Sequence, residues 1–553
     1  MRDWFVLNLN YFLPPNQLHK ITSRIFDLGV IFITPELIVR NPIIRFNVVP
    51  LRFDSISLYF AITANQITWI NWFTNFLYFV QKIILMKFFL PLFFLMTTMV
   101  FNGQELPMFF SDNMVLQRND TVPIWGKDLP LQRILISSSW GNNVETISDE
   151  NGDWRAELIT SSEGGPYTIQ ILGSNSIEIQ NVLLGEVWFA SGQSNMDMPL
   201  RGFTHNPVFD SNETILGSNN INIRFFKTER AASLEPLSQV NGKWVESEPL
   251  ESPNFSAIAY FYAKKIEENI NVPIGIITST WGGSKVQSWM GEKSIDKFSE
   301  IKVPETLSEE ISIKRQSPTA LFNAMVHPFQ DFKIKGVLWY QGESDRSTKD
   351  YESLFSELII SWREKWNNNK LPFYFVQIAP FDYSAYSNIS GRNSAFLREA
   401  QLNTYKNMDD VGIVITTDVG DCNNVHPGEK KVIGERLAYW ALGELYGFKG
   451  ISYKPPIIKE VKLVGNELVL TFNNADQGFY FSENIPGFQI AGKDGVYMNA
   501  QVKLNPDKSL NLSNKEISIP QFVRYNFSDC PSNTLLNNAG IPLSPFRTDN
   551  FEN

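Results

Sequence analysis

The chain has 553 residues, more than one ordinary domain holds, which points to two or three domains. Hydrophobic residues make up 43% and charged residues 19%, so there is material for a sizeable core and too little charge for a disordered chain. A net charge of -10 without a Lys/Arg block argues against a nucleic-acid partner, and two cysteines with four histidines leave little material for a disulfide framework or a zinc site. A mechanism without metal or cofactor is the expectation.

The first hundred residues differ from the rest. Residues 1–85 are rich in Ile, Phe, Asn and Leu and poor in acidic residues, and the chain is largely apolar from about Ile56 to Phe101. Either this is a membrane segment, or residues 1–85 are an over-extended gene call and Met86-Lys87 opens a secretory signal peptide over 86–103. The second reading is preferred. On it the protein from Gln104 onward is secreted or periplasmic, with no stable membrane insertion.

From 104 to 184 short strands and turns prevail. Val122–Gly126, Ile134–Ser137 and Tyr167–Leu172 read as strands, and Asn151-Gly152 and Gly164-Gly165-Pro166 as turns. This predicts a small β-sandwich-like domain. From 185 to 450 the pattern changes. Val187–Ala190, Ile274–Ile277, Val337–Tyr340, Phe373–Val376 and Val411–Ile415 are apolar runs of the kind found in buried parallel strands. Ala257–Asn269, Tyr351–Asn367 and Lys430–Leu445 have helical spacing. The alternation predicts an α/β domain with a doubly wound parallel sheet. From 451 to 553 β-type runs return, clearest in Leu468–Phe472 and Glu516–Pro520. They form a second β region or a return to the first. Cys422 and Cys530 are either bridged or free.

Open α/β sheets bind ligands at the carboxyl ends of their strands, so the turns after the apolar runs are the places to search. Four of them carry suitable polar residues. Ser191-Gly192-Gln193-Ser194-Asn195-Met196 offers a serine nucleophile whose own N–H can face an oxyanion. Thr280-Trp281-Gly282-Gly283-Ser284 offers backbone donors at Gly282 and Gly283. Gln341-Gly342-Glu343-Ser344-Asp345 offers a side-chain amide at Gln341 and an anchoring carboxylate at Glu343. Asp418-Val419-Gly420-Asp421-Cys422-Asn423-Asn424-Val425-His426 offers a general base close to carboxylates. Taken alone, the first three turns read better as a serine cap, a glycine turn and a polar loop, and the fourth reads equally well as a helix start. Together they supply the parts of an acyl-transfer site. His205 and His327 read as loop or packing residues.

These blocks resemble the SGNH/GDSL hydrolase superfamily and, within it, the sialate O-acetylesterase family. The resemblance runs from Pro107 to Asp549 through PMFFSDNMVLQR, GEVW into GQSNM, WGGS, WYQGES, VHP and a closing Pro545-Phe546-Arg547. It implies an SGNH-type hydrolase domain flanked by β-sandwich-like domains, and removal of O-acetyl groups, commonly 9-O-acetyl, from sialic acids. By the same resemblance Ser194 is the nucleophile and His426 the general base. The Ser194 N–H, Gly282 or Gly283, and Gln341 are the oxyanion donors, with Asn195 and Glu343 in support. The superfamily commonly places an aspartate three residues before the histidine, where this chain has Asn423; the position two before, often aspartate in the sialate esterases, is Asn424. Asp421 is therefore the first candidate for the third triad member, with Asp418 or a Ser–His dyad as alternatives. Acetylated xylan or pectin is the rival substrate, and a non-catalytic carbohydrate-binding surface protein the rival class. An anionic sialate calls for a placed cation, for which Arg201 and Arg392 are candidates.

Overall fold

The computed structural model describes residues 103–385, 393–480, 485, 487–531 and 534–551, and the backbone of two strands, Asn47–Phe53 and Ile56–Ile62, paired antiparallel. The expected signal segment up to Asn102, and Arg392, lie outside the described residues. Among the described residues no helix is long and apolar enough to cross a membrane.

The hydrolase sheet is built on β1 (Ser176–Gly192), β2 (Asn220–Thr228), β3 (Gly242–Ser247), β4 (Ile274–Thr280), β5 (Gly336–Tyr340), β6 (Phe373–Val376) and β7 (Val411–Val414). Their spatial order is β3-β2-β4-β1-β5-β6-β7. Every neighbouring pair is parallel except β2 with the edge strand β3. The chain leaves β1 toward one side of the sheet and returns to build the other, so β1 lies at the switch point between β4 and β5.

Adjacent residues of β1 show that both faces are covered. Trp188 packs edge-on to Tyr262 at 5.1 Å, and Phe189 packs on Trp362 at 5.7 Å. Successive strand side chains point to opposite faces, so the helices carrying Tyr262 and Trp362 sit on opposite sides. These helices are α2 (Ala257–Ile270) and α3 (Tyr351–Lys365), with α1 being the short Ser194–Asp197 turn. Burial on both faces explains why the strands read as unbroken apolar runs. Helix α4 (Ala395–Asn407) escaped the sequence reading because its inward face holds Arg398, Gln401 and Thr404 beside the apolar residues. Helix α5 (Lys430–Glu444) packs on α2, where Gly434 brings the backbones together: a Cβ there would lie 2.6 Å from the Ile258 carbonyl.

The expected boundary at 184/185 falls inside β1. Leu183–Gly185 pair with Val115–Gln117, and Glu186–Gly192 pair with β4. The N-terminal β region and the hydrolase sheet thus share one continuous strand, which no composition shift marks. Glu186, at the handover, is buried and bound by Gln117 Nε2 (2.9 Å) and Arg118 Nε (2.8 Å). Gly164–Pro166 is not a turn. It opens a bulged strand, Gly164–Leu172, with φ of 154° and 125° at its two glycines.

After α5 the strands from Ile457 onward form, among the described residues, two four-stranded antiparallel sheets and one two-stranded sheet, and none of these strands pairs with an earlier strand. Leu468, Leu470, Ile490, Leu512, Val523 and Tyr525 give them a core of their own, so this is a second β region and not a return to the first. Glu516–Pro520 is not a strand. Only an Asn514–Ile517 bridge forms there, and Ile519 points to solvent. Cys422 and Cys530 are bridged with Cα atoms 5.6 Å apart, which ties the loop before His426 to this region.

Candidate active site

Strands β1, β4, β5 and β7 deliver the four turns to one edge of the sheet. At the end of β1 the backbone must pass very close to β5. A Cβ on Gly192 would lie 2.1 Å from the Tyr340 carbonyl, and Gly192 has φ of 131°. Only glycine fits both conditions. The next residue, Gln193, donates its N–H to that same carbonyl (2.9 Å), and its side-chain oxygen accepts from the Gly342 N–H (3.2 Å). Ser194 then starts α1, half-buried, with its hydroxyl toward the fourth turn.

His426 Nε2 lies 2.8 Å from Ser194 Oγ. A serine hydroxyl donating to Nε2 leaves the ring proton on Nδ1. Burial, aided by the nearby positive charge of Lys430, pushes the His426 pKa down to about 4. The imidazole is therefore neutral over the physiological range and able to accept a proton. Activity that needs the neutral ring is present above this pKa and lost below it. We expect kcat/KM for a neutral aryl acetate to fall on the acid side with a midpoint near pH 4; a midpoint at the ordinary histidine value of 6.5 would contradict this environment.

No carboxylate among the described residues accepts from His426. Asp421 is exposed and caps its own loop, accepting from the Asn423 N–H at 2.9 Å. Asp418 forms a two-pronged ion pair with Arg436 of α5, at 2.5 and 2.8 Å. Both candidates for a third triad member are thus committed elsewhere, and the arrangement is a Ser–His pair. The imidazole is held instead by its backbone and by packing. The His426 N–H donates to Asn424 Oδ1 (2.9 Å), and the Phe203 ring meets the imidazole at 5.4 Å, near-perpendicular. Asp421→Ala is expected to keep kcat within about tenfold of wild type, whereas loss of a true triad acid costs about 10⁴-fold.

The oxyanion donors also differ from expectation. Gln341 is fully buried, and its Nε2 donates to the Ser284 carbonyl (3.1 Å) and to Asp345 Oδ2 (2.5 Å). With both hydrogens committed it braces the second and third turns and is no oxyanion donor. Gly282 lies against Ser194: a Cβ there would be 3.2 Å from Ser194 Cβ. The N–H groups of Ser194 and Gly282 have no acceptor among the described residues. Gly283, at φ of 75°, lies beneath Arg315.

Asn195 is the keystone behind the pair. Its Nδ2 donates to Glu343 Oε1 (2.5 Å) and to the Val425 carbonyl (3.0 Å), and its Oδ1 accepts from Lys430 Nζ (2.6 Å). These partners fix the amide orientation. They also tie the nucleophile turn to the histidine loop. Burial raises the Glu343 pKa and lowers that of Lys430 to about 7, with each charge opposing the effect of burial on the other. The sequence reading passed over Lys430 and Phe203. A lysine as first residue of α5 opposes the helix dipole, which is a signal that it serves something else. Phe203 carried no signal. His205 is exposed in its loop, and His327 Nδ1 lies 3.0 Å from the Leu237 carbonyl, outside this site. Arg201 is exposed.

Residues 184–442 match the family described as carbohydrate esterase, sialic acid-specific acetylesterase. The fold is similar to that of a carbohydrate acetylesterase from Xanthomonas citri, with a TM-score of 0.74 and 31% identity, covering 81% of this chain and 100% of that one. The chain belongs to this carbohydrate esterase family. It is a carboxylic ester hydrolase, which removes the non-catalytic reading. Sialate O-acetylesterase of Mus musculus is 26% identical over 442 residues, covering 68% of this chain and 80% of the relative. The Homo sapiens protein of the same name is 25% identical over 409 residues, covering 68% and 77%.

Proposed function

We propose that this esterase removes O-acetyl groups from sialic acids, with the 9-O-acetyl ester as first substrate, through an acetyl-serine intermediate. The observation that carries the reading is the 2.8 Å contact of Ser194 Oγ with a His426 ring held neutral, beside the unengaged N–H groups of Ser194 and Gly282. His426 Nε2 takes the hydroxyl proton as Ser194 Oγ attacks the acetyl carbonyl. The two N–H groups receive the oxyanion, where one donor is worth about 10²–10³ in rate. His426 returns the proton to the departing sugar oxygen. Water then attacks the acetyl-serine, giving up its proton to His426, which restores the serine hydroxyl as acetate leaves.

The match to the family described as sialic acid-specific and to the two mammalian sialate O-acetylesterases supports the sugar assignment. The Cys422–Cys530 bridge supports a secreted or periplasmic location, since such bridges persist in oxidising compartments. The test is acetate release from 9-O-acetylated sialic acid, acetylated xylan and acetylated pectin at equal ester concentration. The sialate ester is expected to be turned over at least about tenfold faster than either polysaccharide. A preference for xylan or pectin would transfer the same chemistry to a plant polysaccharide.

A further inference from the structure

Beside the second turn lies a positive charge that no carboxylate among the described residues pairs with. Arg315 follows the short helix Ile311–Lys314, whose segment lies over the Gly282-Gly283 turn. A Cβ on Gly283 would meet the Arg315 guanidinium carbon at 2.6 Å and Nη2 at 2.7 Å, so the guanidinium rests directly on that glycine. The neighbouring Gln316 pins the arrangement by donating from Nε2 to the Gly283 carbonyl at 3.1 Å. Gly282, one residue earlier, touches Ser194, so a single Cα step of ~3.8 Å separates the residue on the nucleophile from the residue under the cation.

Arg315 forms no ion pair with a carboxylate among the described residues, and its Nε is buried without a hydrogen-bond partner. Three other cations are engaged. Lys314 faces Glu309, Arg230 is bound to Asp197, and Lys430 is bound to Asn195. A buried guanidinium N–H without an acceptor is costly, and the group it fits is a planar anion that takes two of its donors at once. A carboxylate meets this requirement, and a neutral sugar does not.

We infer that Arg315 is a specificity-determining residue that binds the carboxylate of an acidic acetylated sugar while Ser194 engages its ester. This rests on the esterase reading and narrows it to anionic substrates, setting neutral xylan units aside. It also replaces Arg201 as the cation that a sialate substrate calls for.

The test uses 9-O-acetyl-N-acetylneuraminic acid, its carboxyl methyl ester and a neutral aryl acetate, with wild type, Arg315→Gln and Arg315→Lys. R315Q is expected to lower kcat/KM for the acid at least about tenfold, mainly through KM, and to leave the aryl acetate within about twofold. R315K should fall between, because an ammonium keeps the charge without the two-pronged geometry. Wild type should prefer the acid to its methyl ester by about tenfold, a comparison that needs no variant to fold. Equal turnover of acid and methyl ester by wild type, or equal losses on acid and aryl acetate in R315Q, would overturn the assignment. If wild type released acetate from none of the three, the esterase reading itself would fail. Calorimetric binding of N-acetylneuraminic acid would then decide for Arg315: weaker binding in R315Q supports it, and equal or undetectable binding in both proteins refutes it.

Discussion

Ser194→Ala is expected to lower kcat on an aryl acetate by at least about 10⁴-fold while leaving the protein folded. The size follows from the role. Without the hydroxyl there is no acetyl-enzyme, and the remaining oxyanion donors can only assist direct attack by water. The small structural cost follows from the contacts. Ser194 Oγ has His426 Nε2 as its recorded partner, and both residues are half-buried. One such hydrogen bond contributes about 1 kcal/mol, which moves the unfolding midpoint of a protein this large by only ~1 °C. A variant that unfolded well below wild type would mean that Ser194 is a structural cap. A folded variant with wild-type turnover would place the chemistry elsewhere. Circular dichroism melts beside steady-state kinetics separate the outcomes.

Asn195→Ala should show the opposite balance, a large loss of stability together with a large loss of rate. The side chain joins three partners drawn from two turns and the start of α5: Glu343, the Val425 carbonyl and Lys430. Truncation leaves a buried carboxylate and a buried ammonium without their bridging amide. Breaking such a buried polar set costs about 3–5 kcal/mol. It also frees the loop that presents His426, because Val425 precedes the histidine. A displacement of about 1 Å at the base costs about 10²-fold in rate. Asn195→Asp would keep the shape but add a negative charge beside Glu343, and should recover less than half of the lost stability. If N195A unfolded like wild type and kept full kcat, the bridge would be ornamental and His426 would be held by Asn424 and Phe203 alone. Chemical denaturation with a parallel kcat measurement reads both effects.

Much of the site could be read from the sequence because of how a parallel sheet is made. Strands β4 to β7 lie between two layers of helices, so they read as apolar runs, and each run ends where ligands bind. Reading the residues just after each run therefore found Ser194, Gly282 and His426 together. What stayed hidden depends on directions that spacing does not encode. Gln341 follows its strand as an oxyanion donor would, yet its amide turns inward to Ser284 and Asp345. Asp421 stands close to His426 in sequence, but the loop turns it to solvent. Lys430 and Arg315 stand outside the motifs that follow the strands. One is buried behind the histidine, and the other is stacked on a glycine beside the nucleophile. The fold boundary at 184/185 was illegible for a related reason: a strand that crosses two regions has no linker to betray it.

With no carboxylate among the described residues behind His426, the site depends on other supports. In a triad the acid fixes the tautomer and stabilises the imidazolium. Here the ring is set by the Asn424-braced loop and the edge of Phe203, and burial favours its neutral form. Such a base is ready at lower pH than an ordinary histidine, and it gains no stabilisation from a partner acid once protonated.

The most direct test of the account is to catch the intermediate. Wild-type protein mixed with an aryl acetate at a pH just above 4, quenched in acid within the first turnovers and digested, would be searched by mass spectrometry for an acetyl group. The account predicts acetyl on the peptide carrying Gly192-Gln193-Ser194-Asn195-Met196, localised to Ser194 and absent from S194A. Acetate release at full rate with no acetylated peptide, or with acetyl at another residue, would contradict it.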